Sequence, residues 1–254
     1  MTRAKTDSVR ATQTSLAVLS GIKDLGGSAT LVELADSLEP AKSTIYKHLV
    51  TLEDEGLVVE RDGEYRIGLR WLEFGGMAQR YDGIYEVAKP EVRRMAVETG
   101  ELANLMIEEQ GYGIYIHTTS GDQAVALDTR LGKRIHLHKT AIGKALLSSF
   151  DDERVAEIIE TRGLPAETDN TITDRETLFA ELETIRERGV ADDTEERVDG
   201  TGCVGVPIDT GDRREAAISI TAPINRLQSP GRKAQLIDTV QQAANVIEVN
   251  LAHE

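Results

Sequence analysis

The dipeptide Asp62-Gly63 constrains the fold of this chain more than any other feature, because it stands in the middle of the run LVVERDGEYRIG. An Asp-Gly pair between two short stretches of strand-forming residues is a strong signal for a tight β-hairpin, since both central residues of the turn need a positive φ angle. The residues before it show the period of helices and not that of strands. This part of the sequence therefore predicts helical segments followed by a hairpin.

Three helix-sized segments precede the hairpin. In the first, apolar residues recur at helical spacing, at Leu16, Leu19, Ile22 and Leu25. Thr30 can cap a second helix, with Glu33 three residues later completing a capping box. Pro40 suits the first turn of a third helix, which we expect to run to about Glu55. This order is typical of a winged helix-turn-helix, and a small α+β subdomain with no role in DNA binding is the alternative.

The third helix has one apolar and one polar face. Residues placed at helical steps put Ile45, Leu49 and Leu52 on one side, towards a core. The opposite side carries hydroxyls, amines and a phenol, which can bond to base edges and phosphates in the major groove of double-stranded DNA. We predict that the helix contacts DNA through Lys42, Ser43, Thr44, Tyr46, Lys47 and Thr51.

Two arginines of the hairpin, Arg61 and Arg66, are further candidates for DNA contacts. Flanking the turn, they could reach the phosphate backbone or the minor groove. For each of them, an ordinary surface charge without a DNA contact is the alternative.

The net charge of −15 argues at first against a nucleic-acid partner. However, residues 1–70 carry nine basic and eleven acidic side chains, whereas residues 71–254 carry twenty and thirty-three. Nearly all the excess acid therefore lies outside the predicted DNA-binding segment. Twenty of the basic residues are Arg and nine are Lys, and much acid with little Lys favours solubility at high salt. A halophilic host, such as a halophilic archaeon, is our hypothesis.

The compartment is indicated by cysteine content and by the lack of a targeting pattern. Cys203 is the only cysteine, so no disulfide can form within the chain, as is usual in a reducing cytosol. The N-terminal MTRAKTDSVRATQT has basic residues but no apolar core behind them, unlike a secretory signal. We expect a cytoplasmic protein.

Beyond residue 70 the sequence changes character. Residues 71–90 are apolar and aromatic-rich, which predicts a linker helix interrupted near Asp82-Gly83. The remainder alternates strand-like runs with helical segments around 140–149, 152–161, 174–188 and 232–251. The strand-like runs are LANLMIEE, YGIYIHTT, AVALDT, RIHLH, CVGVPID and EAAISITAP. This pattern predicts one α+β domain with a mostly antiparallel sheet.

At these residues the whole chain resembles an IclR-type transcriptional regulator. The N-terminal part matches through LAVLSGI, TLVELADSL, KSTIYKHLVTLEDEGLV and YRIGLRWLEFG. The C-terminal part matches through GKRIHLHKTAIGKALL, a Leu-rich segment at 178–196, GTGCVGVPI and AAISITAP. The resemblance extends from about residue 12 to residue 252 and holds in both domains and in their order.

The resemblance implies a fold class and a domain layout. We expect an α+β protein with a winged helix-turn-helix at residues 10–70, a linker helix and dimerisation segment at 71–88, and a GAF-like effector-binding domain at 89–254. Such proteins are homodimers or dimers of dimers that regulate catabolic operons. The apolar linker around Trp71, Leu72, Phe74 and Ile84 is the expected interface, since such a run is poorly suited to solvent.

The resemblance also implies that the effector is a small organic or sugar acid. Thr140 is a natural N-cap for the helix in KTAIGKALL, and free N–H groups at a helix start attract carboxylates. The resemblance places the effector at this turn and implies a site formed by Thr140, Ala141, Ile142, Asp193, Cys203, Ser219 and Thr221. Asp193 would accept a hydrogen bond from a ligand hydroxyl or a water, and a solvated acid in the run ADDTEERVDG is the alternative.

Cys203 and the histidines raise the alternative of an enzyme. A lone Cys with His elsewhere can be a nucleophile and base, but Cys203 lies in an apolar strand-like run where free cysteine is usually a small buried hydrophobe. His136 and His138 alternate along a predicted strand, a spacing that permits a metal without indicating one. We expect no catalytic residue, metal or cofactor. A sensor or thiol enzyme whose N-terminal domain contacts protein is the alternative from another class.

Overall fold

The computed structural model describes residues 8–253. They divide into two compact units, with the boundary between Gln79 and Arg80, inside the predicted linker at 71–88. No helix in the described residues is long and apolar enough to cross a membrane. The N-terminal unit contains α1 (Arg10–Asp24), β1 (Ser28–Thr30), α2 (Leu31–Ser37), α3 (Lys42–Asp54), β2 (Val58–Arg61), β3 (Glu64–Ile67) and α4 (Trp71–Gln79).

The N-terminal unit is a winged helix-turn-helix, as predicted. Asp62 and Gly63 both have positive φ angles, 56° and 83°, and they join β2 to β3 in a tight antiparallel hairpin. β1 adds to the other side of β3 and completes a three-stranded sheet. Thr30 and Glu33 form the predicted capping box at the start of α2.

Two details of this unit differ from the prediction. α1 begins at Arg10 and buries Val18 and Ile22, whereas Leu16 is 54% exposed, so the buried stripe is offset from the one inferred. α3 begins at Lys42, not at Pro40, because the Ala41 carbonyl is already the first acceptor of the helix and bonds the N–H groups of Thr44 and Ile45.

The C-terminal unit is an α+β domain built on one sheet of six antiparallel strands, in the order β6-β5-β4-β9-β8-β7. It begins with α5 (Ile84–Thr99), β4 (Leu102–Glu109), β5 (Tyr112–Ser120), β6 (Arg134–Ile135) and a 3-10 helix (Leu137–Lys139). These are followed by α6 (Ala141–Ser149), α7 (Asp152–Arg162), α8 (Arg175–Arg188), β7 (Ala191–Thr194), β8 (Thr201–Ile208), β9 (Ala216–Pro223), α9 (Ile224–Leu227) and α10 (Arg232–Leu251).

The two faces of the sheet belong to different cores. Because side chains alternate along a strand, one set of strand residues packs with α5 and α10, and the other set packs with α6, α7 and α8. Val204 and Ile220 lie in the first core, whereas Cys203 and Ala217 lie in the second. The face towards α6 carries the polar side chains that the sequence analysis singled out.

Three strand assignments in this unit were wrong. The run AVALDT at 124–129 forms no strand. RIHLH forms only the two-residue strand β6 before the 3-10 helix, so His136 and His138 are not alternate residues of one strand. ADDT forms β7, which was not predicted because two acidic residues in a four-residue segment hide the usual strand pattern.

Candidate functional site

The exposed face of α3 is the first candidate surface. All six predicted DNA-contacting residues of this helix are exposed, while Ile45 and Leu49 are completely buried in the core of the unit. The helix is held from α1 by a 2.8 Å hydrogen bond between Ser15 Oγ and His48 Nδ1. Half of the Tyr46 side chain is open to solvent, so the surface combines hydroxyls, two ammonium groups and a phenol.

The two wing arginines differ in their surroundings. Arg61 is exposed at the end of β2 and forms no ion pair within the described residues. Arg66 donates to a Glu64 carboxylate oxygen at 2.9 Å and to Ser28 Oγ at 3.2 Å. Arg61 can therefore bind a DNA phosphate without losing an ion pair. Arg66 would first have to break its bonds to Glu64 and Ser28.

The second candidate is a narrow pocket on the α6 side of the sheet, with a cavity volume of about 20 Å³, enough for one water molecule. Six of the seven predicted effector residues line it: Thr140, Ile142, Asp193, Cys203, Ser219 and Thr221. The seventh, Ala141, is fully buried and does not line the pocket. The structure thus brings together residues that are up to 81 positions apart in the chain, Thr140 and Thr221.

The floor of the pocket follows from strand register. Asp193 on β7 is directly opposite Cys203 on β8, which is opposite Thr221 on β9, so the three side chains form one row across the sheet. In the next row Gly205 is opposite Ser219. The Thr221 hydroxyl donates to Cys203 Sγ at 3.2 Å.

The start of α6 covers this floor at very close range. A Cβ at Gly205 would lie 2.9 Å from the Ile142 backbone nitrogen, so only glycine allows the helix so near the strand. Thr140 caps α6 as predicted, and the turn has fewer free N–H donors than expected. Thr140 Oγ1 accepts the Gly143 N–H at 3.1 Å, and the Ala141 N–H acts on the Asp193 carboxylate, where it lowers the pKa against the larger effect of burial.

Asp193 is buried, with 6% of its surface exposed, so the alternative of a solvated acid was wrong. Its carboxylate accepts the Glu196 N–H at 2.9 Å. Burial raises the pKa of Asp193 to about 6, although Lys144 and Arg197 oppose that rise. Asp193 is thus a buried carboxyl group that is stabilised by the Glu196 N–H.

The Cys203 side chain lines the pocket as a neutral thiol. Burial raises its pKa to about 12, and the Asp193 carboxylate adds to the effect. Because the thiolate is the nucleophilic form, a thiol with such a pKa is poorly suited to covalent catalysis near neutral pH.

The Ser219 hydroxyl is the least satisfied group of the pocket. Ser219 is completely buried, and its Oγ has no hydrogen-bonding partner at normal distance and angle among the described residues, although it lies close enough to the Cys203 thiol to lower the pKa of that thiol. Leaving a buried hydroxyl unpaired costs about 1–3 kcal/mol. A ligand that bonds to this oxygen would remove that cost.

Arg197 and Tyr115 also line the pocket, and sequence reasoning missed both. Arg197 Nη1 donates to the Tyr115 hydroxyl at 3.0 Å, and Nη2 donates to the Asp128 carbonyl at 2.8 Å. A basic residue within the acidic run ADDTEERVDG was the one available signal.

Two patterns that suggest other chemistry do not form sites. The His136 and His138 ring centroids are 5.8 Å apart, and no group of three or more metal-ligating side chains occurs in residues 8–253. Gly200, Gly202 and Gly205 have the G-x-G-x-x-G spacing of dinucleotide-binding turns, which require a strand-to-helix turn. Here two of these glycines lie inside β8, which pairs antiparallel on both sides.

Comparison with known proteins identifies relatives over nearly the whole chain. Residues 12–62 match the family described as IclR helix-turn-helix domain, and residues 78–249 match the family described as bacterial transcriptional regulator IclR C-terminal. The probable HTH-type transcriptional regulator ArcR of Halobacterium salinarum is 30% identical over 239 residues, which cover 92% of this chain and 90% of that one.

Solved structures agree with this result. The Thermotoga maritima IclR is 30% identical, with a TM-score of 0.79 over 94% of this chain and 98% of that one. An IclR homologue from Microbacterium hydrocarbonoxydans in complex with 4-hydroxybenzoate has a TM-score of 0.81 over 96% of this chain and all of that one. Its sequence identity is 22%, so this second likeness is one of fold.

Proposed function

This chain belongs to the IclR family of transcriptional regulators, and we propose that it binds an operator of a catabolic operon under the control of a small organic or sugar acid. In this proposal the N-terminal unit reads double-stranded DNA and the pocket of the C-terminal unit binds the acid. The effector complex of the Microbacterium hydrocarbonoxydans homologue supports the class of ligand.

One observation carries the effector half of the proposal: the completely buried Ser219 hydroxyl lines the pocket and forms no hydrogen bond among the described residues. Ligand pockets are usually apolar cavities with a few placed polar groups. Here the polar groups include Ser219, Thr221 and Asp193. A small acid with hydroxyl groups can form hydrogen bonds with these side chains, whereas an apolar molecule cannot.

The proposal extends to assembly and location. Two-fold symmetry would give two winged units and hence two half-sites, so we propose a homodimer or a dimer of dimers. We also propose a cytoplasmic protein, because a regulator must reach chromosomal DNA. An acid-rich surface would keep it in solution in a halophilic cell.

The experiment is a gel-shift titration of the DNA upstream of the chain's own gene, with and without competitor duplex. Specific binding that small hydroxy or sugar acids alter is the expected result. If the competitor duplex abolishes binding completely, the protein does not recognise a specific DNA sequence. The alternative, a small-molecule sensor whose N-terminal domain contacts another protein, would then be favoured.

Lys47→Ala tests the recognition surface. We expect operator affinity to fall by about 1–3 kcal/mol, because the exposed ammonium group of Lys47 would lose its contact with a base or phosphate. The matched control is Lys23→Ala at the end of α1, which should bind DNA as the wild type does. If both variants keep their circular dichroism and Lys47→Ala binds normally, the assignment of α3 is wrong.

A further inference from the structure

Arg197 is the only basic side chain among the described residues that line the pocket. It lies just after β7 and is about half buried. Its guanidinium is fixed by the Tyr115 hydroxyl at 3.0 Å and by the Asp128 carbonyl at 2.8 Å. An arginine has five N–H donors, so these two bonds leave donors for a ligand.

The other anion-attracting feature of the pocket, the start of α6, is partly in use. The Ala141 N–H lowers the pKa of the Asp193 carboxyl, and Thr140 Oγ1 accepts the Gly143 N–H. A ligand carboxylate at this turn would face the carboxylate of Asp193 inside a buried site. Like charges repel strongly there, because little solvent screens them.

The deep part of the pocket offers acceptors and hydroxyls instead. Asp193 can accept a hydrogen bond, and the unpartnered Ser219 hydroxyl can donate one and accept one. These groups suit the hydroxyl of a ligand better than its carboxylate.

From this arrangement we infer that Arg197 binds the carboxylate of the effector, and that the hydroxyl groups of the same molecule bond to Asp193 and Ser219. The effector is therefore a hydroxy acid that enters with its hydroxylated part towards the α6 turn. This inference rests on the proposed function and specifies its ligand. It reverses the orientation expected from the helix N-terminus alone.

The test compares acids with their neutral amides. Glycerate, gluconate and 4-hydroxybenzoate, each paired with its amide, are titrated into the full-length protein by calorimetry and followed by thermal shift. We expect at least one acid to bind, and to bind about tenfold or more tighter than its amide, because charge-assisted hydrogen bonds to Arg197 require the carboxylate. The variants are Arg197→Gln, Arg197→Lys and Tyr115→Phe.

Arg197→Gln should bind the acid and its amide about equally, while Arg197→Lys should restore part of the preference. Tyr115→Phe removes the bond to Arg197 without removing the charge, so it should keep the preference. A purely structural role for Arg197 would instead weaken both ligands alike. A preference for the acid that survives in Arg197→Gln overturns the inference.

The operator gel shift separates this inference from the proposed function. We expect Arg197→Gln to bind DNA as the wild type does and to lose the response to the acid. If no acid in the panel binds the wild type while operator binding is intact, the inference about Arg197 is overturned, but the proposed role as a DNA-binding regulator still stands. If operator binding is absent as well, the proposed function fails.

Discussion

Ser219 gives the most direct test at the scale of single residues. Replacing Ser219 with Ala removes an unpaired buried hydroxyl, so the free energy of unfolding of the ligand-free protein should rise by about 1 kcal/mol. The same change should weaken effector binding by roughly 1 kcal/mol or more, because the ligand loses a partner. Urea denaturation and calorimetry measure the two effects.

The matched control for this change is Ser148→Ala. The Ser148 hydroxyl is also buried but already donates to the Ala145 carbonyl at 2.7 Å. Its loss should bring no gain in stability and no change in effector binding. If Ser219→Ala destabilises the protein as an ordinary serine substitution does, then Ser219 is not the unsatisfied group described here.

Asp193 predicts a dependence of stability on pH. The pKa of Asp193 is about 6 in the folded protein, above the usual value of 3.8. Between pH 3.8 and pH 6, therefore, the carboxyl group is protonated in the native state and ionised in the unfolded chain. The contribution of Asp193 to stability is therefore present at low pH and is lost as pH rises through about 6. The wild type should lose roughly 2 kcal/mol relative to Asp193→Asn between pH 4 and pH 7.

Urea denaturation of both proteins across this range measures the difference. Lys144, Glu196 and Arg197 surround the carboxyl in the folded state, and all three remain in the variant. Burial raises the pKa of Glu196 to about 7, and the Asp193 carboxylate adds to that rise. The measured difference therefore includes the coupling between the two carboxyl groups. A difference that stays constant with pH would show that Asp193 titrates in the folded protein as it does in water.

The sequence predicted which residues line the pocket, whereas their part in effector binding stays a prediction. Cys203, Ser219 and Thr221 were assigned to the pocket from family resemblance, and strand register places them there. Arg197 could not be predicted, because its position depends on partners 82 and 69 residues away, Tyr115 and Asp128. Only the folded chain shows that the Asp193 carboxyl is buried near the start of α6, where the Ala141 N–H lowers its pKa.

At the scale of elements, the close contact between β8 and α6 predicts the effect of Gly205→Ala. The added methyl group meets the Ile142 backbone at 2.9 Å, so the start of α6 must move away from the sheet. Overpacking of this kind costs about 1–3 kcal/mol of stability. Effector affinity should fall as well, since Thr140 and Ile142 line the pocket.

Gly202→Ala is the control on the same strand. Its methyl group would press on the Leu227 side chain on the opposite face of the sheet. It should therefore lower stability and leave effector affinity unchanged. Thermal denaturation and calorimetry of the two variants distinguish these outcomes, and equal losses of affinity would show that the contact with α6 has no special role.

Helices were easier to predict than strands, for a physical reason. The four helices predicted beyond residue 130 lie within one residue of the observed bounds, because caps and the helical period mark them locally. The strand-like run AVALDT stays irregular and the acidic ADDT pairs as β7. Pairing depends on a partner strand that is distant in the sequence, so local pattern alone decides neither case.

At the scale of the whole molecule, α4 predicts self-association. No residue of this helix is buried in the described structure, and Leu72 and Met77 are 72% and 69% exposed. Ile84, which was expected in the same interface, is instead fully buried in the core of its own unit. We therefore predict that α4, through Leu72, Phe74 and Met77, contacts a second copy of the chain.

Light scattering should report at least twice the 27.8 kDa of one chain. Leu72→Glu should shift the population towards that single-chain mass, because a charge in an apolar interface is costly. Val249→Glu on α10 introduces the same change at another exposed apolar site and should leave the mass unchanged. A wild type that scatters as one chain at assay concentration would refute the prediction.

The six-stranded sheet ends on both sides in very short strands. β6 has two residues and β7 has four, and each bears a charged side chain, Arg134 and Asp192. Long, flat and unprotected edges recruit strands from other molecules, whereas short charged edges do not. The short charged strands therefore discourage strand pairing at both ends of the sheet, and we expect the protein to resist amyloid-like stacking at high protein concentration.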